Sequence, residues 1–100
     1  MSMSHEPTFV GSTVLDERGE TIGTVRDVVF EEANITPTWL VVKPGTFRAE
    51  HYVPARDAYR TVDDDVVVPY DKDTVIHAPK ARGHVVSHEN REKLLEHYGL

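Results

Sequence analysis

The run Trp39-Leu40-Val41-Val42 is the longest unbroken apolar stretch in the chain, and it limits the fold more than any other feature. Pro37 stands just before it and Lys43-Pro44-Gly45 closes it. A run this short between such flanks is no helix, and Trp and Val favour strands. In a strand, Trp39 and Val41 face one way while Leu40 and Val42 face the other. Both faces are apolar, so both need cover. The run reads as a central strand of a small closed or nearly closed sheet.

The rest of the chain fits such a sheet. Residues 1–8 carry no pattern and read as a flexible tail. Ser12–Leu15 and Thr21–Phe30 read as a hairpin, with Gly19 at positive φ in the turn between them. The alternation of the second strand is imperfect. Ile22, Val28 and Phe30 share one parity and Val25 and Val29 the other, so a bulge near Gly23 or Asp27 is expected. Glu31–Asn34 reads as a loop and Ile35–Lys43 as the third strand. Glu50–Val53, Arg60–Val62 and Val66–Val68 follow as strands, and Val75-Ile76 closes the β region before Pro79. This gives a domain over 9–79, then a connector and helix over 80–100. Ser87 caps the helix, whose apolar stripe is Leu94, Leu95 and Tyr98, and Gly99 ends it. The predicted fold is all-β: a small barrel of about six short antiparallel strands with a C-terminal α-helix.

Composition narrows the function classes. The chain has no cysteine, which excludes disulfides, thiol catalysis and thiolate metal sites and suits the cytoplasm. No apolar run approaches the ~20 residues that span a bilayer, and no signal peptide is read at the start. The formal charge is -6, and the 11 basic residues are scattered along the chain, so direct nucleic-acid binding is not expected.

The stretch Gly19-Glu20-Thr21-Ile22-Gly23-Thr24-Val25-Arg26-Asp27-Val28-Val29-Phe30 resembles the signature hairpin of the PRC-barrel family. Pro37–Lys43, Tyr52-Val53-Pro54 and Val67-Val68-Pro69-Tyr70 fit its later strands, and His97-Tyr98-Gly99-Leu100 is similar to the end of small bacterial members. The family includes the cytoplasmic domain of the photosynthetic reaction-centre H subunit and, by fold, the C-terminal domain of a ribosome maturation factor. The resemblance implies a barrel that binds other proteins or itself. The transmembrane helix of the first relative and the additional N-terminal domain of the second are not seen in this sequence, so neither specific role is expected to transfer.

Candidate chemistry is sparse. His84 and His88 have the i,i+4 spacing of a helical metal pair, but Ser87 starts the helix after His84. Asp63, Asp64, Asp65, Asp71 and Asp73 lack the Gly and closing Glu of a calcium loop and read as turn formers. No nucleophile elbow, phosphate loop or nucleophile–base pair is present. No catalytic residue, metal site or cofactor is therefore assigned. The reading is a non-enzymatic interaction or adaptor module, bacterial and cytoplasmic, whose partners are a second copy of itself and a further protein. The expected interface residues are Trp39, Leu40, Val42, Leu94, Leu95 and Tyr98. The helix docks either on its own barrel or on a second chain. Alternatives are a small-ligand or metal sensor using the histidines and aspartates, and a ribosome-assembly accessory factor.

Overall fold

The computed structural model describes residues 9–31, 38–46, 48–83 and 85–100. The expected tail over 1–8, most of the Glu31–Asn34 loop and the opening of the expected third strand lie outside the described residues. Six strands form one sheet: β1 Thr13–Leu15, β2 Thr21–Val29, β3 Trp39–Lys43, β4 His51–Pro54, β5 Tyr59–Arg60 and β6 Val66–Val67. Two helices follow, α1 Lys72–Ile76 and α2 His88–Tyr98. The spatial order is β4-β3-β2-β1-β6-β5, so β4 and β5 are opposite edges. Yet only residues 55–58 separate Pro54 from Tyr59. Five peptide steps reach at most about 18 Å, while five strand spacings in a flat sheet span about 24 Å. The sheet must curl, and it forms an open barrel whose edges approach without pairing.

Trp39–Val42 is buried at all four positions, as a central strand requires. Leu40 and Val42 join an inner cluster with Val14, Ile22, Val25, Val53, Val66, Val68 and Val75. Trp39 and Val41 join a second cluster with Val29, Tyr52, Ala78, Leu94 and Tyr98. The two parities of β2 are reconciled by two irregularities. Gly23 pairs with Val14 but Thr21 pairs with Leu15, leaving Ile22 as an extra residue. Val25 pairs with Val42 and Asp27 with Val41, leaving Arg26 extra. Each extra residue shifts the alternation by one, so Ile22 and Val25 both reach the inner cluster while Val29 reaches the second. Gly23 sits where backbone meets backbone: a Cβ there would lie 2.3 Å from the Lys43 carbonyl oxygen. Gly19 has φ 87°, and Asp16 holds this turn by accepting from the Arg18 and Glu20 amides at 2.9 Å each.

Two expectations are corrected. The sheet is not wholly antiparallel, because β1 pairs with β6 in parallel. Alternation is the same for either direction, so the sequence pattern could not distinguish them. Val75-Ile76 is not a strand but the end of α1. Asp71 accepts from the Thr74 amide at 2.9 Å and its hydroxyl at 2.7 Å, an N-cap that turns the chain helical and places Val75 in the inner cluster. Thr74 also holds the Asp71 carboxyl below its ordinary pKa through these bonds.

Candidate interaction surface

The outer face of the sheet has two halves. Over β2, β3 and β4 it is covered by α2, which Ser87 starts by accepting from the Asn90 amide at 3.2 Å. The helix ends on Gly99 at φ 74°, with the Leu100 amide donating to Leu95 at 2.8 Å. Between these caps, Leu94 and Tyr98 stand one turn apart and pack on Val29, Trp39, Val41 and Tyr52. The Tyr98 hydroxyl donates to the Tyr52 carbonyl at 2.6 Å. Burial, then the neighbouring Tyr70 ring, push the Tyr98 phenol well above its ordinary pKa. Glu31 bridges sheet and helix: the Trp39 indole donates to it at 3.2 Å, and Arg91 pairs with it at 3.2 Å. His97 donates from Nε2 to the Thr74 carbonyl at 2.8 Å, tying α2 to α1.

The expected interface residues are placed accordingly. Leu40 and Val42 point into the inner cluster, and Trp39, Leu94 and Tyr98 form the contact between sheet and helix within one chain. Leu95 is half-buried beside that contact. The β4 edge is also occupied by the chain itself. His51 bridges to Lys80, the Ala81 amide donates to Glu50 at 2.7 Å, and His51 Nδ1 donates to the Ala78 carbonyl at 2.8 Å.

Over β1, β6 and β5 the outer face is different. Leu15 pairs with Val67, and Val67 with Tyr59, so these three lie in one row across the sheet. Their neighbours Val14 and Val66 belong to the inner cluster, which turns the row outward. Neither helix contributes a residue to it: Val75 goes inward, and Leu94 and Tyr98 go to the second cluster. Tyr59 is 57% exposed, and Val62 beyond it is 98% exposed. Among the described residues, strand β5 is the last of its sheet, with β6 as its one strand neighbour.

Beside this row lies a groove of about 440 Å³, lined by Thr13, Thr21, Thr24, Thr46, Arg26 and Lys43 among others. Lys43, Thr24 and Thr13 form its outward row, set by the pairing of β3, β2 and β1. Neither the row nor the groove was visible in the sequence, because each is assembled from residues far apart in the chain. A second hollow of about 460 Å³ lies between α1 and α2, with His77, Lys93, Glu96 and His97 on its walls. Among the described residues no three metal-ligating side chains converge. His5 and His84 lie outside the described residues. No helix of the described residues is long and apolar enough to cross a membrane.

A six-stranded curled sheet with a bulged β1–β2 hairpin and a C-terminal helix defines a small β-barrel domain. The family model of the PRC-barrel domain matches residues 3–75, and the chain belongs to that family. A comparison with curated proteins finds no match. The family is a non-catalytic one.

Proposed function

We propose that the chain is a non-enzymatic protein-interaction module of the adaptor type, acting in the cytoplasm, and that its first partner is a second copy of itself. The observation that carries this reading is the bare half of the sheet. Tyr59 on β5 and Val62 just beyond it leave apolar surface in solvent, at 57% and 98% exposure, and among the described residues β5 has β6 as its one strand neighbour. Exposed apolar patches of this kind mark contact surfaces, and an open edge offers backbone groups to another chain. A two-fold pair needs one surface that complements itself. The absence of cysteine suits a reducing compartment.

The test is the molar mass of the full chain by light scattering over a wide concentration range. A defined dimer is expected. Tyr59→Glu with Val62→Glu should shift the equilibrium to monomer while leaving the thermal midpoint close to that of the parent, since both side chains are exposed. A monodisperse monomer at every concentration would overturn the self-association.

A further inference from the structure

The lining of the groove departs from the character of the whole chain. The protein carries a formal charge of -6, yet the lining holds Arg26 and Lys43 and no carboxylate. Arg48 adds a third cation beside it, with its side chain against Gly45. Among the described residues, no ion pair engages any of these three. The densest run of carboxylates in the chain is Asp63-Asp64-Asp65, on the turn between β5 and β6. The turn is exposed at Asp63 and Asp64 and is a fixed shape. The Asp64 amide donates to Thr61 at 3.0 Å, the Thr61 amide donates to Asp65 at 2.8 Å, and Asp64 holds φ 66°.

The strand register relates turn and groove. Val66 pairs with Val14, so the turn just before it stands level with Thr13 along the strand direction. Thr13 pairs with Thr24, and Thr24 with Lys43, so the groove stands at the same level. The turn lies on β6 and β5, to one side of β1, and the groove on β2 and β3, to the other side. A two-fold axis running along β1, between two copies facing each other through their outer faces, keeps the level and exchanges the sides. It lays the acidic turn of each copy over the basic groove of the other and brings the two Leu15 residues together at the axis.

We infer that two copies of this chain associate through that arrangement, with Asp63–Asp65 of one copy seated against Arg26 and Lys43 of the other, twice by symmetry. The inference rests on the self-association proposed above and specifies its geometry. The threonine hydroxyls of the groove and the two cations are donors, and the turn carboxylates are acceptors, so each contact is a set of charge-assisted hydrogen bonds. The association is electrostatic at its two ends, with the half-buried Leu15 of each copy at the axis between them. It weakens with salt, as exposed charge pairs do.

A charge-swap pair tests this on the full chain. Variant one carries Arg26→Glu and Lys43→Glu, and variant two carries Asp63→Lys and Asp65→Lys. Each alone brings like charges together at both contacts, and its dimer should weaken by at least about tenfold in sedimentation equilibrium at low salt. Mixed in equal amounts they restore both contacts, because the acidic groove of one meets the basic turn of the other. A heterodimer should form, and high salt should dissolve it. Circular dichroism and thermal melts on each variant confirm that folding is kept. If the parent is a dimer and neither variant weakens it, self-association stands and this geometry is wrong. If both variants become monomers but their mixture stays monomeric, the pairing of turn with groove is wrong. A parent that is monomeric at all concentrations overturns this inference together with self-association.

Discussion

The two halves of the outer sheet face start from the same kind of residues and end differently. Over β2, β3 and β4, Val29, Trp39, Val41 and Tyr52 are all under 4% exposed, because α2 lies on them. Over β1, β6 and β5, Leu15 is half-buried and Tyr59 is 57% exposed, with Val67 between them at 7%. What separates the halves is one short amphipathic helix. Isolated helices below ~12–15 residues are marginal in water, and α2 has 11 residues. Its formation therefore depends on what Leu94 and Tyr98 bury. The covered half belongs to folding and the other half is the proposed contact, so damage to the two should be read by different instruments.

The largest effect is expected from ending the chain after Val86. This removes Leu94 and Tyr98 and exposes Trp39, Val41 and Tyr52. Fully burying one large apolar side chain contributes roughly 1.5–3 kcal/mol. Loss of two such anchors, with the newly wetted face, should lower the melting midpoint strongly and produce aggregates in light scattering. A truncated chain with an unchanged midpoint and no aggregation would break the distinction between the halves.

Next comes a single substitution under the helix. Leu94 is wholly buried, and Leu94→Ala should cost about 2–5 kcal/mol. Chemical denaturation measures it directly. A cost below that range would mean that the helix contributes little to holding the covered half.

Tyr98→Phe comes third. It removes the hydroxyl bond and leaves the buried Tyr52 carbonyl without that donor, a change of about 1–3 kcal/mol. Its signature is the pH dependence. Tyr98 has its pKa raised above the ordinary 10.0, so the folded state keeps the phenolic proton after the unfolded state has released it. The stability linked to this group is intact below pH 10.0 and falls as pH rises above it. Tyr98→Phe should flatten that alkaline fall. Parent and variant with the same alkaline slope would show that Tyr98 is not the group responsible.

Much of this architecture was legible in the sequence because it is set locally. Trp39–Val42 declared its two faces by alternation, Ser87 and Gly99 marked the helix ends, and Gly19 marked the turn. The uneven parity of β2 announced a bulge, though not that Ile22 and Arg26 each stand as an extra residue. What stayed hidden depends on pairing across long separations. The parallel β1–β6 contact joins residues about fifty positions apart, and the outward row exists only once that contact is made. The basic groove is hidden for the same reason, since Arg26 and Lys43 meet through the register of β2 and β3. Asp71 carried a local signal for a helix, and Val62, expected to end a strand, stands in the turn after β5. The N-cap role of Asp71 outweighed the strand preference of Val75-Ile76 over a stretch too short for alternation to decide.

The smallest effect on folding, and the sharpest test of the comparison, is expected from Tyr59→Ser. Tyr59 is 57% exposed at the end of the bare row, paired with Val67 on the edge strand. A surface substitution away from caps and cores usually stays within about 0.5 kcal/mol. Edge-strand preference favours Tyr over Ser by only part of a scale that spans ~1 kcal/mol. The melting midpoint of a dilute sample should therefore hardly move. The dimer should respond far more, because an aromatic buried in an interface is the kind of residue whose truncation costs ~2 kcal/mol or more. That corresponds to roughly thirtyfold in the dissociation constant. The two readouts must separate: a small change in stability at low concentration and a large change in molar mass at high concentration. Equal losses in both would place Tyr59 in the fold rather than in the contact. The bare half would then be structural like the covered half, and the distinction between them would fail.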